Sequence, residues 1–163
     1  MSDAVDRASA LADLRMSVQP DAQPALEPDE LEAILDRTRR AQTWEPNKVL
    51  TTGTYVQPTV RNGLKYKVAK SGTTGATEPP WPTKPTHWSA SIAGRQITDN
   101  TVTFEEAGDE FRNVYNVRAA KREAWNVKMS KASQYPQTAG VDMSKIFEQC
   151  RAMRDSYESV LVG

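Results

Sequence analysis

The sequence predicts an α+β protein: mainly a helical bundle of about four helices, with a small β module inserted between the second and third helices. Three observations lead there. Apolar residues recur at helical spacing near both ends of the chain. The stretch from Pro58 to Phe104 instead carries short alternating segments and turn residues, among them Asn62-Gly63, a strong hairpin signal. The stretch from Asp109 to Ser133 contains neither Gly nor Pro, as a long helix requires. The expected divisions are 1–50 for the N-terminal helices, 51–108 for the inserted module and 109–163 for two C-terminal helices and a tail.

Taken in order, Ala8, Leu11, Ala12, Arg15 and Val18 fall on one helical face, and Pro20 ends that segment. A second helix is expected from Glu27-Pro28-Asp29, with proline in the first turn and acids at the positive end of the helix dipole. Its stripe is Leu31, Ile34, Leu35 and Thr38, Arg37, Arg39 and Arg40 gather at its C-terminal end, and Trp44 and Pro46 are expected to close it. In the module, Pro58-Thr59-Val60 and Leu64–Val68 flank the turn at 61–63, a Gly/Thr/Pro-rich crossing surrounds Trp81, and a last strand covers Thr101–Phe104. Tyr66, Trp81 and Phe104 are the expected module core, because so small a unit needs its large aromatics inside.

The third helix is expected to start near Asp109. One of its faces carries Phe111, Val114, Tyr115, Trp125 and Met129, and a smaller one carries Val117, Ala120, Ala124 and Val127. Two apolar faces imply two packing partners, which can be another helix or another subunit. Gly140 and Asp142 then open a fourth helix, whose stripe runs through Met143, Ile146, Phe147, Cys150, Met153, Tyr157 and Val160.

Composition limits the chemistry. Basic and acidic residues balance at 21 each, so the whole chain exerts no net attraction on nucleic acid or an anionic membrane. No apolar run is long enough to span a bilayer and no signal-peptide pattern is present, so a soluble protein made in a cytosol is expected. Cys150 and His87 are the only residues of their types, too few for the usual zinc spacings; a buried, inert thiol is expected at Cys150. No nucleophile elbow, Walker loop or HExxH pattern occurs, so neither an enzyme nor a cofactor is expected. Gly72-Thr73-Thr74-Gly75 lacks the following Lys-Ser/Thr of a phosphate loop and reads as a tight turn, and Asp99-Asn100 reads as a polar turn. The basic run Arg112, Arg118, Lys121, Arg122, Lys128 and Lys131 reads as a solvated face with intersubunit ion pairs, ahead of contact with DNA phosphates.

The segments G-T-T-G-A-T-E-P-P-W-P and T-D-N-T-V-T-F resemble a small β module of tailed-phage structural proteins, in which the last position is usually Trp and here is Phe104. The phrase V-Y-N-V-R-A-A-K-R-E-A-W-N-V-K-M-S-K-A, followed by V-D-M-S-K-I-F-E-Q-C-R-A-M-R-D-S-Y, is similar to the end of phage head–tail connector (neck adaptor) proteins. The acidic opener D-E-L-E-A-I-L-D-R-T fits the same family. That resemblance implies a virion neck protein, assembled in the host cytoplasm as a homo-oligomeric ring, twelve-fold to match the portal. Encapsidated DNA would pass through it without sequence-specific recognition, and a further neck or tail-terminator protein would dock on it. Val117, Ala120, Ala124, Trp125 and Val127 are then the expected ring-packing residues, and Val160, Leu161 and Val162 the expected portal-docking segment. The alternative is a carbohydrate-binding virion decoration or tail module, with Trp81 and Trp88 as a sugar platform.

Overall fold

The computed structural model describes residues 3–83, 94–134 and 143–157. The chain forms two compact units, one from Met1–Arg39 with Tyr115–Gly163 and the other from Arg40–Val114.

The first unit is helical: α1 (Asp3–Val18), α2 (Pro28–Arg37), α3 (Val117–Gln134) and α4 (Met143–Ser156). α1 stops where Gln19 enters the left-handed region at φ +48°. α2 opens with a reciprocal capping box in which the Glu27 amide donates to Glu30 Oε2 at 2.8 Å, and Pro28 takes the first turn. It closes on Thr38, whose hydroxyl donates to the Ile34 carbonyl at 2.9 Å. α3 begins after Asn116, whose Oδ1 accepts from the Ala119 amide at 3.2 Å. α3 is the central helix and packs against α1, α2 and α4. Ala120, Ala124, Lys128 and Ala132 are buried at intervals of one turn, the spacing that puts them on one face. Outside that face, Arg7 on α1 reaches Glu32 and Asp36 on α2 at 3.2 and 3.1 Å.

The second unit is a sheet with its own core. Five strands are ordered β1 (Gln42–Thr43), β3 (Tyr55–Gln57), β4 (Leu64–Lys70), β7 (Val102–Asp109), β6 (Gln96–Asp99); a separate pair joins β2 (Val49–Leu50) to β5 (Gly72–Thr73). All pairings are antiparallel except β1 with β3. Strand alternation sorts the side chains: Leu64, Tyr66 and Val68 of β4 and Val102 and Phe104 of β7 point inward, while Lys67 and Glu105 face water. Trp44, Leu50 and Val56 complete the core.

The expectation of a mainly helical bundle is therefore corrected. Among the described residues there are four helices, two on either side of the sheet in sequence, but the sheet unit has a core of its own and extends from Arg40 to Val114. Two local features account for the difference. Trp44, expected to close the second helix, lies instead in the sheet core. Phe111, Val114 and Tyr115 have the spacing of α3, but β7 continues the ladder through Asp109 opposite Leu64, and the Glu110 amide donates to the Gly63 carbonyl at 3.0 Å. Sheet hydrogen bonds already hold that backbone, so the helix cannot start until Asn116 caps it. The β3–β4 hairpin also differs in detail. Its first strand is Tyr55–Gln57 rather than Pro58–Val60, and a six-residue connection ending at Gly63 (φ +82°) joins it to β4.

Each unit pairs its own two chain ends. Within the helical unit Arg39 and Tyr115 form an antiparallel bridge, and within the sheet unit the Arg40 amide donates to the Val114 carbonyl at 2.8 Å. Replacing Arg40–Val114 by a short flexible linker therefore closes a gap that is already bridged, and loop entropy changes only slowly with length, about 0.6 kcal/mol per doubling. The excised chain is expected to keep its helical circular dichroism and a cooperative melt. Loss of both would show that the helices need the sheet.

Candidate functional site

The residues that carry the module resemblance gather on one side of the sheet unit, in the crossing that follows β4. Gly72 pairs with Leu50, and its backbone lies so close to the β6–β7 turn that a Cβ there would sit 2.4 Å from the Thr101 carbonyl. The Thr73 amide donates to Thr101 Oγ1 at 2.8 Å. Thr74 is completely buried; its hydroxyl donates to the Glu45 carbonyl at 2.7 Å and accepts from the Lys48 amide at 2.8 Å. Gly75 gives its amide to Asp99 Oδ1 at 2.9 Å, and a Cβ on it would press that same oxygen at 2.6 Å. The other carboxylate oxygen, Oδ2, accepts from the Trp44 indole at 2.8 Å.

Further along, Glu78 ties the crossing to the β3–β4 connection. Its Oε1 accepts from the Thr59 amide at 2.8 Å and from the Trp81 indole at 2.7 Å, and Oε2 accepts the Thr59 hydroxyl. Burial pushes the Glu78 pKa up, but the hydrogen bonds from Thr59 and Trp81 reverse this and leave it below the ordinary value. The Trp81 ring then lies against Tyr66 (centroids 4.4 Å apart) and Phe104 (5.1 Å). The Tyr66 hydroxyl, inside the unit, donates to the Pro82 carbonyl at 3.1 Å. Burial raises the Tyr66 pKa, and Asn62 works against that by donating to the hydroxyl.

This arrangement fastens loops to a sheet. The Gly75 amide and Thr74 hydroxyl that a phosphate loop would present are already engaged inside the fold. The turn at 99–100 is real, with Asn100 at φ +54°, but Asp99 points inward and both its oxygens are occupied by protein donors. Tyr66 and Phe104 are fully buried and Trp81 packs on them half-buried, its indole N–H used by Glu78. Trp88 and His87 lie outside the described residues. Among the described residues, no group of three His, Cys, Asp or Glu side chains could hold a metal ion, and no helix is long and apolar enough to cross a membrane.

The residues expected to pack a ring are placed differently. Ala120, Ala124 and Trp125 are buried by the helices of this chain, so the second partner of α3 is intramolecular; Val117 and Val127 are half-buried. Val160, Leu161 and Val162 lie outside the described residues. The basic run on α3 is largely engaged by the helical unit itself. Arg118 donates to the Tyr157 carbonyl at 2.9 Å, Lys121 reaches Asp13 at 2.8 Å, and Lys131 reaches the Ala25 carbonyl at 3.0 Å and Glu30 at 2.6 Å. Cys150 is buried, and burial raises its pKa.

Three buried polar residues escaped sequence reasoning. Asp99 and Trp44 are 55 positions apart, and nothing in the sequence pairs them. Glu106 shares the inward face of β7 with Val102 and Phe104 and meets Arg95 at 2.8 Å; strand alternation from Phe104 could have flagged it. Lys128, one turn beyond Ala124, is buried and donates to the Gln19 and Ala22 carbonyls at 2.8 and 2.9 Å, with its pKa lowered by burial. Its helical register placed it on the small-residue face. Comparison with family models, curated proteins and solved structures returns no match.

Two expectations follow from the frame. Asp99→Ala leaves the Trp44 indole and the Gly75 amide buried without an acceptor, at about 1–3 kcal/mol each. Urea unfolding of the sheet unit should shift by about 2–6 kcal/mol; an unchanged midpoint would remove the frame as a source of stability. Glu78 has a folded-state pKa below its unfolded value, so its contribution is present above about pH 4.3 and is lost as pH falls through the folded pKa. Glu30, lowered chiefly by its hydrogen bond from Lys131, acts in the same direction. Glu78→Gln should therefore lower the urea midpoint at neutral pH and flatten its fall on acidification, leaving the part due to Glu30.

Proposed function

We propose that this chain is a virion structural protein of a tailed phage, a head–tail connector whose ring joins the portal to the next neck component and extends the DNA channel. Two separate resemblances support the reading, one in the sheet unit and one across the helices. The observation that carries it is the condition of the motif residues. Gly72, Thr74, Gly75, Glu78, Trp81 and Asp99 are all engaged as framework, as a virion building module requires. The sugar platform of the alternative reading loses Trp81, because its ring packs on Tyr66 and Phe104 and its N–H is occupied. The work proposed is steric and mechanical, and the portal-docking role belongs to Val160–Val162.

The placement of Ala120 and Ala124 changes how the ring is built. Those side chains are inaccessible in the folded subunit, so neighbouring subunits meet through other helical surface, with Val117 and Val127 retaining some exposure. A heterologous contact of this kind closes by rotation and uses two different patches per subunit.

Electron microscopy of the purified protein, alone and with portal-bearing heads, tests the proposal. Rings in either sample are the expected result. A monomer that forms no ring and does not bind heads, yet is retained on glycan arrays, would replace the connector by the sugar-binding reading.

A further inference from the structure

Asn62 is the only asparagine in the chain that is followed by glycine. Such a pair is chemically labile because a glycine has no side chain to hinder its backbone nitrogen. The Gly63 nitrogen attacks Cγ of Asn62, the new N–Cγ bond closes a succinimide, and Nδ2 leaves as ammonia. Water then adds to one of the two ring carbonyls and opens the ring to aspartate or isoaspartate. No oxidant or other co-reactant is needed.

The fold holds every polar atom of this side chain. Asn62 Nδ2 donates to the Tyr66 hydroxyl and to the Pro82 carbonyl, both at 2.9 Å, and Oδ1 accepts from the Leu64 amide at 3.1 Å. The Tyr66 hydroxyl closes the triangle by donating to the Pro82 carbonyl. Hydrogen bonds at both ends of the planar carboxamide oppose the rotation and pyramidalisation that attack at Cγ demands, and departure of Nδ2 breaks two of them. The same bonds make the amide a structural pin. It fastens the β3–β4 turn to the carbonyl of Pro82, one residue beyond Trp81.

We propose that Asn62 is a latent deamidation site that the fold holds in check through Tyr66 and Pro82, and that its conversion to an acid unlatches the Trp81–Pro82 crossing from the turn. An aspartate at 62 has no N–H to offer Pro82, and its negative oxygen faces a carbonyl oxygen. Isoaspartate also lengthens the backbone by one carbon just before β4, where Leu64 enters register with Asp109 and the Gly63 carbonyl accepts from Glu110. The modification therefore acts on the same crossing that Glu78 secures through Thr59.

The test follows amide-to-acid conversion at Asn62 by peptide mass spectrometry, with the full chain incubated in mildly alkaline buffer with and without denaturing urea. Conversion in the native protein should be slower than in the unfolded chain by about tenfold or more, since it must proceed through local opening. Tyr66→Phe, verified as folded by circular dichroism, should convert faster than the native protein. Independently of that variant's folding, Asn62→Asp should raise hydrogen exchange across 72–83 and leave the helical unit unchanged. Equal rates in native and unfolded chains would overturn the protection. Unchanged exchange in Asn62→Asp would overturn the unlatching.

Discussion

The sheet unit depends on one buried carboxylate. Asp99 sits at the end of β6, 6 % exposed, and accepts from the Trp44 indole and the Gly75 amide. Those two donors come from opposite sides of the unit's first half: Trp44 from the segment after β1, Gly75 from the crossing after β5. A buried charge is tolerated only when hydrogen bonds replace its hydration, and here each oxygen has a donor at 2.8–2.9 Å. The geometry also accounts for both glycines of the G-T-T-G segment. Gly72 must clear the backbone of Thr101, and Gly75 must clear the carboxylate it donates to. A motif that looks like a ligand loop in sequence is thus the loop's side of an internal hydrogen-bonded joint.

The helical unit uses a comparable device with opposite charge. The segment between α1 and α2 leaves the helical ladder and turns on local bonds, the Ala22 amide donating to the Gln19 carbonyl and the Leu26 amide to the Pro20 carbonyl. Lys128 and Lys131 reach from α3 to the carbonyls of Gln19, Ala22 and Ala25, and Lys131 also meets Glu30. Burying Lys128 is unfavourable in itself, as its lowered pKa reflects, and two carbonyl acceptors offset part of that cost. The basic residues of α3 therefore serve mainly to hold this unit together. A count of positive charges could not distinguish that role from an open phosphate-binding face.

Much of the local structure was legible before the coordinates. Proline in the first turn with acids around it marked the start of α2, and the capping box is there. Asn62-Gly63 marked a turn, and it lies immediately before β4. Gly72–Trp81 with Thr98–Phe104 marked a compact module, and Tyr66 and Phe104 are in its core. Errors arose where two periodicities overlapped. Phe111, Val114 and Tyr115 have helical spacing, yet cross-strand hydrogen bonds to β4 held the preceding backbone, and the Asn116 cap was the better guide to where α3 begins.

The coarse succession of helices, sheet and helices is written locally, because helix caps, turn residues and hydrophobic period are properties of neighbouring side chains. The strands at 42–50 and the partners of every element are set by packing across the chain. Burial of Ala120 and Ala124 by this chain's own helices and the joining of Trp44 to Asp99 depend on partners far away in the chain. Contacts of that kind are set by packing and by the need to give every buried polar group a partner, and neither constraint leaves a periodic trace in the sequence.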